Sequence, residues 1–350
     1  MSKTPLGEFK GNRMLQRAEE PDFWAYRDKD SSQSSDKELV LLDNVQFIYE
    51  LALAQLELQS LGASYEITNG LREFKLLEAE DIEKLVHRLA YFKLVEGRYT
   101  DYFHIVQKNR TRSVNQYLTH WIYPYKGKFH PQMIRALLNI IGLEPGDTVL
   151  DPFIGSGTLA VEAQLLGINC IGRDISPLCV LQSKVKTESI EVLDGITKLE
   201  EKMILKMQPS LFNLEKETLR ETIESVPDEK VKNFYRLAEL VAISDNARRG
   251  KDFVKSFPHN LSLMIYSVKD YVDIVKMQNL SVRWVDIRVG DSRRSELADE
   301  SVDGIVSSPP YSIALDYVAN DAHAIKALSI DLKEMKEEFI GVRGKGQERI

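Results

Sequence analysis

The chain has 350 residues, 43% of them hydrophobic and 28% charged, which is the make-up of a soluble globular protein long enough for two or three structural units. No run approaches the roughly 18 uncharged apolar residues of a membrane-spanning helix, and Met1–Lys10 lacks the apolar core of a signal peptide, so a cytoplasmic location is expected. Two cysteines, Cys170 and Cys179, exclude a disulfide framework or a zinc cluster, and no metal is expected; the net charge of −7 counts against a broadly basic nucleic-acid binder.

In chain order, residues 1–38 are polar and read as a loose N-terminal segment. A helix is predicted over Leu39–Leu61, stopped by Gly62, followed by a short strand at Tyr65-Glu66-Ile67. A second helix is predicted over Glu80–Phe92, begun by the acidic turn Glu78-Ala79-Glu80-Asp81. Residues 39–120 thus form a helical or α+β accessory module with no chemical motif of its own. Tyr102–Gly142 contains no Asp or Glu. It holds Lys108, Arg110, Arg112, Lys126, Lys128 and Arg135, with His104, His120 and His130, and interleaves Tyr117, Trp121, Tyr123, Tyr125 and Phe129. This strip suits phosphate contacts and base stacking, or else is a solvated basic face beside core aromatics.

The main domain is expected over 121–350. A helix at Met133–Ile141, a turn at Pro145-Gly146, a strand at Thr148–Leu150, a helix at Leu159–Leu166 and a strand at Asn169–Gly172 give the β-loop-α-β opening of a doubly wound parallel sheet. Residues 183–280 are charged and helical in pattern and read as an insertion. Its cluster Arg248-Arg249-Gly250-Lys251 is either a nucleic-acid contact or a solvated helix end. Strands return at Ser281–Val289 and Val302–Ser307.

Four short motifs sit at the predicted strand ends. Asp151-Pro152-Phe153-Ile154-Gly155-Ser156-Gly157-Thr158 links a strand to a helix, and its glycines let backbone approach a ligand closely. It is neither a phosphate loop nor a full dinucleotide turn. Asp174 ends the second strand, 23 positions after Asp151, where an acid holds ribose hydroxyls; capping of the next helix by Asp174 or Ser176 is the alternative. Gly290-Asp291-Ser292 follows the third strand and is also a common turn. Ser308-Pro309-Pro310-Tyr311 follows the fourth. Its prolines remove two backbone donors and leave their carbonyls free to accept. Ser308 and a proline carbonyl can take both N–H groups of an exocyclic amine, holding them out of the ring plane and making the nitrogen more nucleophilic, while Tyr311 stacks on a base turned out of its duplex.

These motifs resemble those of the amino-methyltransferases that act on cytosine-N(4) and adenine-N(6) in DNA. The resemblance covers Tyr123–Lys186 and Asp286–Arg343, with the cofactor loop preceding the catalytic tetrapeptide. It implies a Rossmann-like class I methyltransferase fold and S-adenosylmethionine as cofactor. Asp151, Pro152, Phe153, Gly155, Ser156, Gly157 and Thr158 would form the cofactor loop, with Asp151 facing the positive methionine end. Asp174 would hold the ribose, Asp291 the adenine ring, and Lys128 and Phe129 of Tyr123–Gln132 would cover the methionine end, His130 being structural or cofactor-lining. Ser308, Pro309, Pro310 and Tyr311 would be catalytic.

The expected activity is site-specific DNA methylation of the restriction-modification kind, cytosine-N(4) favoured over adenine-N(6), with DNA as partner. A tRNA guanine-N(2) methyltransferase is the alternative, although such enzymes carry Asp or Asn where this chain has Ser308. A catalytically incomplete nucleic-acid-binding protein is the alternative of another class. The 39 residues after Tyr311 read as helix and charged tail, so the sheet is expected to be incomplete at that end, with a further segment or a second chain completing it. Cytosine C5 chemistry is disfavoured, because neither cysteine follows a proline.

Overall fold

The computed structural model describes residues 38–68, 73–109, 115–206, 215–311 and 316–340, so the expected loose segment falls, up to residue 37, outside the described residues. The first unit runs β1 (Glu38–Leu41), α1 (Ile48–Ser60), β2 (Ala63–Thr68), β3 (Glu73–Ala79), α2 (Ile82–Arg88), β4 (Phe92–Val95), β5 (Arg98–Tyr99) and α3 (Asp101–Gln107). Its strands form an antiparallel sheet in the order β2-β3-β1-β4-β5.

Two expected helices are corrected here. Leu39–Leu41 is strand, not the start of a helix. Leu39 and Leu41 are both buried, and β1 pairs with β3 on one edge and β4 on the other. So short an apolar run fits either periodicity, and the two partners decide it. The helix expected over Glu80–Phe92 is capped by Asp81, whose carboxylate accepts the Lys84 N–H, but it ends at Arg88. Phe92 is fully buried and pairs with Leu41, so the sheet claims it.

The second unit runs α4 (Pro131–Ile140), β6 (Thr148–Asp151), α5 (Thr158–Leu165), β7 (Asn169–Asp174), α6 (Pro177–Glu188), α7 (Leu193–Leu205), α8 (Glu215–Glu224), α9 (Glu229–Arg249), α10 (Phe253–Met277), β8 (Val285–Val289), β9 (Gly304–Ile305), α11 (Tyr317–Asn320), α12 (Ala322–Ala327) and α13 (Leu332–Glu338). Its four strands are parallel, in the order β8-β7-β6-β9. The last two strands are shorter than expected: pairing begins at Val285 rather than Ser281 and at Gly304 rather than Val302. Central β7 is buried almost throughout, as a strand with neighbours on both edges must be, and all eight residues of α5 are buried. Five helices, α6 to α10, separate β7 from β8 and share a core that includes Phe234, Phe257, Leu261 and Met264.

The acid-free strip is divided between surface and core, with Lys126 exposed. Arg110 and Arg112 lie outside the described residues, whereas Tyr117, His120, Tyr123 and Arg135 are buried. Tyr123 donates to Asp321, and the other three gather on one carboxylate from elsewhere in the chain, Glu162 of α5, itself 0% exposed. Its Oε1 accepts from Tyr117 Oη at 2.6 Å and pairs with His120 Nε2 at 2.8 Å; its Oε2 lies 3.7 Å from Arg135 Nη1. Tyr102 Oη reaches Tyr117 Oη at 3.1 Å. A buried carboxylate needs such partners, so the basic residues are drawn inward. The network joins the antiparallel unit to the parallel one. Arg88, whose Nε donates to Asn139 and whose Nη2 donates to the Leu143 carbonyl, and Glu57, which accepts from Asn139, extend the polar seam.

Candidate active site

In the parallel sheet β6 is the first strand, with β7 on one side and β9 on the other, so the strand order reverses between β6 and β9. Connections diverge at such a point and leave a crevice at the carboxyl ends of the strands. An open cleft of about 790 Å³, mouth included, lies there. Of the sequence-predicted residues, Lys128, Phe129, Asp151, Pro152, Phe153, Gly155, Ser156, Thr158, Asp174, Asp291, Ser308 and Pro310 line this one cleft. Gly157, Pro309 and Tyr311 do not; Tyr311 is 56% exposed at its side.

Asp151 is the last residue of β6 and is buried. Its Oδ1 accepts from Phe153 N at 3.0 Å and Ser307 Oγ at 2.7 Å. Among the described residues both bonds fall on that one oxygen, which leaves Oδ2 for the cleft. Burial pushes the carboxyl up to about 7, against the opposing pull of the Ser307 hydroxyl. Ser307 stands just before the tetrapeptide, so this bond ties the first motif directly to the last. Sequence reading treated Ser307 only as the end of a strand.

The loop after Asp151 turns on two left-handed glycines, Gly155 at φ 50° and Gly157 at φ 78°. A Cβ on Gly157 would stand 2.8 Å from Ser183 Oγ and 2.9 Å from Ser183 Cα, so α6 itself requires the glycine. Asp174, buried at the end of β7, holds the loop from the other side: Oδ2 accepts the Gly155 N–H at 2.9 Å and Oδ1 the Ser176 N–H at 2.8 Å. Burial raises its carboxyl to about 6. The helix cap itself is Ser176, whose hydroxyl accepts from Cys179 N. The Cys179 thiol also donates to this carboxylate, which leaves lone-pair capacity for one further ligand contact.

Asp291 is held by Arg293, whose Nε and Nη2 grip both carboxylate oxygens at 2.7–3.0 Å. That guanidinium holds the carboxyl down to about 2. Lys128 contributes to the wall, but its ammonium donates to the His120 carbonyl at 2.5 Å. Burial lowers it to about 8. His130 stands half-buried at the start of α4.

Three further contributions were not legible as site residues. Lys186 of α6 is fully buried and donates to the Ser156 carbonyl at 2.7 Å, pinning the loop from beneath. Tyr125 and Tyr317 both line the cleft, with near-parallel rings 6.3 Å apart. Glu338, Phe339 and Ile340 close it from the end of α13. A lysine among apolar residues on α6 was the one available signal for the first; the others depend on tertiary proximity.

A glycine-hinged loop at the switch point of a parallel sheet, joined by hydrogen bond to a Ser-Pro-Pro-Tyr turn, is a specific arrangement. Residues 3–184 match the model of the DNA methylase family. The chain belongs to that family. Within it, the chain is 25% identical to the Type II methyltransferase M.BsoBI of Geobacillus stearothermophilus, over 74% of this chain and 62% of that relative. It is 43% identical over 86 residues to the Type II methyltransferase M.MjaII of Methanocaldococcus jannaschii, covering 25% of this chain and 15% of the relative. A 51-residue stretch is 41% identical to a tRNA (guanine(10)-N2)-dimethyltransferase of Methanothermobacter thermautotrophicus, 15% of each chain. The chain therefore spans less than two thirds of the length of these relatives. Among the described residues no helix is long and apolar enough to cross a membrane.

Proposed function

We propose that this chain transfers a methyl group from S-adenosylmethionine to an exocyclic base amine in DNA, cytosine-N(4) in preference to adenine-N(6). The observation that carries the reading is the Ser307–Asp151 hydrogen bond, which joins the glycine loop to the turn whose Ser308 and Pro310 line the same cleft. The reversal of strand order beside β6 supports a Rossmann-like, doubly wound architecture for the domain.

The lining fits this cofactor. Its acids are Asp151, Asp174, Glu338 and Asp291, the last already paired with Arg293, while the Lys128 ammonium is engaged by a backbone carbonyl. That balance favours a cationic ligand over a phosphate. When bound, S-adenosylmethionine supplies an electrophilic methyl group on a cationic sulfur and leaves as a neutral thioether. Asp151, ionised, attracts the positive methionine end through Oδ2. The backbone at Gly155 gives close approach, and Asp174 and Lys186 keep the loop in place. Ser308 and a proline carbonyl of the turn accept the two N–H groups of the target amine, so that its lone pair is released from the ring and directed into the cleft. Tyr311, exposed beside it, offers a face to the extruded base. Positioning is the main contribution of the protein.

Substitution of the turn separates binding from transfer. Pro310→Ala and Tyr311→Ala are each expected to reduce methyl transfer by 100-fold or more, on the order of 3 kcal/mol of barrier, while cofactor affinity stays within about threefold. Unchanged transfer in both variants would remove the tetrapeptide from the mechanism.

A further inference from the structure

The helices between β7 and β8 carry no motif, yet one of their side chains reaches the walls of the cleft. Arg248 lies in the last turn of α9, where a cation suits the helix dipole and Gly250 at φ 64° ends the helix. Its neighbours Arg249 and Lys251 both pair with Asp245. Arg248 turns the other way. Its Nη1 donates to the Pro124 carbonyl at 2.7 Å, and its Nη2 donates to the Asn320 carbonyl at 2.9 Å and to Asp321 Oδ1 at 2.6 Å. The same Asp321 oxygen accepts from Tyr123 Oη at 3.0 Å, and Lys126 Nζ donates to Asn320 Oδ1 at 3.0 Å. Asp321 is buried beneath this cluster.

Three chain segments far apart in sequence therefore meet on one guanidinium: the end of α9, the stretch Tyr123–Lys126, and the end of α11. The latter two carry Tyr125 and Tyr317, whose rings lie at 6.3 Å and 25° to one another on the cleft wall. Tyr125 also lies against Gly155, where a Cβ would be 3.5 Å from its ring. Tyr317 opens α11, the first described helix after Tyr311. The pair thus spans from the glycine loop to the segment that follows the tetrapeptide.

We propose that Arg248 is a positioning residue, a clamp that fixes the Tyr125 wall against the Tyr317 wall and so sets how a base amine is presented to the glycine loop. Planarity is essential to this function: a guanidinium holds three acceptors in a fixed fork, which a lysine ammonium cannot reproduce. The clamp assigns a role to the α6–α10 region, and the Arg248-Arg249-Gly250-Lys251 cluster divides accordingly. Arg248 acts inward on the cleft, and Arg249 and Lys251 finish α9.

The part of this proposal that concerns transfer rests on the reading of function above, so the test has two independent arms on the full chain. In the first, amide hydrogen exchange is followed over Tyr123–Lys126 and Tyr317–Asp321. Arg248→Ala is expected to speed exchange in both segments by tenfold or more, Arg248→Lys by an intermediate amount, and Arg249→Ala not at all. Tyr123→Phe, which keeps the charges and loses one bond, is expected to speed exchange a few-fold and serves if Arg248→Ala does not fold. Unchanged exchange in both Arg248→Ala and Tyr123→Phe overturns the clamp, whatever the protein does to DNA. In the second arm, Arg248→Ala is expected to lower kcat for methyl transfer by tenfold or more with cofactor affinity within threefold, and Arg248→Lys to restore part of it. An equal loss in Arg249→Ala overturns the positioning role. If the unaltered protein transfers no methyl group to DNA, the functional reading fails while the exchange arm still decides the clamp.

Discussion

At Asp151 burial and function pull in opposite directions. Desolvation holds the carboxyl up at about 7. Its protonated form therefore favours the fold. That contribution is full below the ordinary carboxylate range and is lost as pH rises through about 7. Attraction for a cationic ligand has the reverse sign, being present above about pH 7 and lost below it. Cofactor affinity is accordingly expected to weaken as pH falls from 8 to 6, approaching tenfold per unit at the acid end, and Asp151→Asn is expected to be weak and nearly flat. Calorimetric titration across that range checks it; a flat profile in the unaltered protein contradicts the assignment. Asp174 is placed differently. One oxygen already serves the Gly155 N–H of the loop and the other the Ser176 N–H at the start of α6, so it is a structural pin as well as a candidate ligand contact. Single residues were read best where the backbone alone dictates them. Gly155 and Gly157 were legible because only such a turn needs them, whereas Ser307 and Lys186 were not, since their partners lie 156 and 30 positions away.

The glycine loop shows how an element enforces its own sequence. Gly157 adopts φ 78° and lies against Ser183 of α6. Gly157→Ala is expected to cost about 1–2 kcal/mol from the left-handed backbone alone and more from the contact. Gly157→Ala with Ser183→Gly should recover only the part of the contact made by the Ser183 side chain, and leave the clash with Ser183 Cα and the backbone part. Denaturant unfolding of both variants measures the split; a single variant as stable as the parent contradicts the geometry. At this scale the strands and helices around the motifs were legible, because Val149, Cys170 and the fully buried α5 leave no competing periodicity. Leu39–Leu41 and Phe92 were misread because short apolar runs take their state from partners, and the partners here are strands up to 56 positions away. The acid-free strip stayed ambiguous for the same reason: the acid that holds Tyr117 and His120 inward is Glu162, far along the chain.

For the molecule as a whole, that carboxylate joins the two sheets. Tyr102 and Tyr117 reach it from one side, and His120 and Arg135 stand beside it, all without solvent. Burial lowers the His120 imidazole to about 4, so it stands neutral, and removing the carboxylate leaves the buried Arg135 guanidinium uncompensated and the Tyr117 hydroxyl and His120 ring without their partner; Glu162→Ala is expected to destabilise the protein by about 3–5 kcal/mol and to loosen both units together. A loss below 1 kcal/mol, read by urea unfolding, contradicts the role of the network. The same architecture leaves the cleft at the switch point of the parallel sheet, walled by segments as far apart in sequence as Tyr125 and Ile340. Membership of the DNA methylase family and the joined motifs lead to one central claim, transfer of a methyl group to a base amine in DNA. Nucleoside mass spectrometry of DNA and tRNA from cells with and without the protein tests it most directly. The account predicts a methylated exocyclic amine in DNA, N(4)-methylcytosine first, that is lost when the protein is lost. Unchanged DNA, with N(2)-methylguanine lost from tRNA instead, would contradict it.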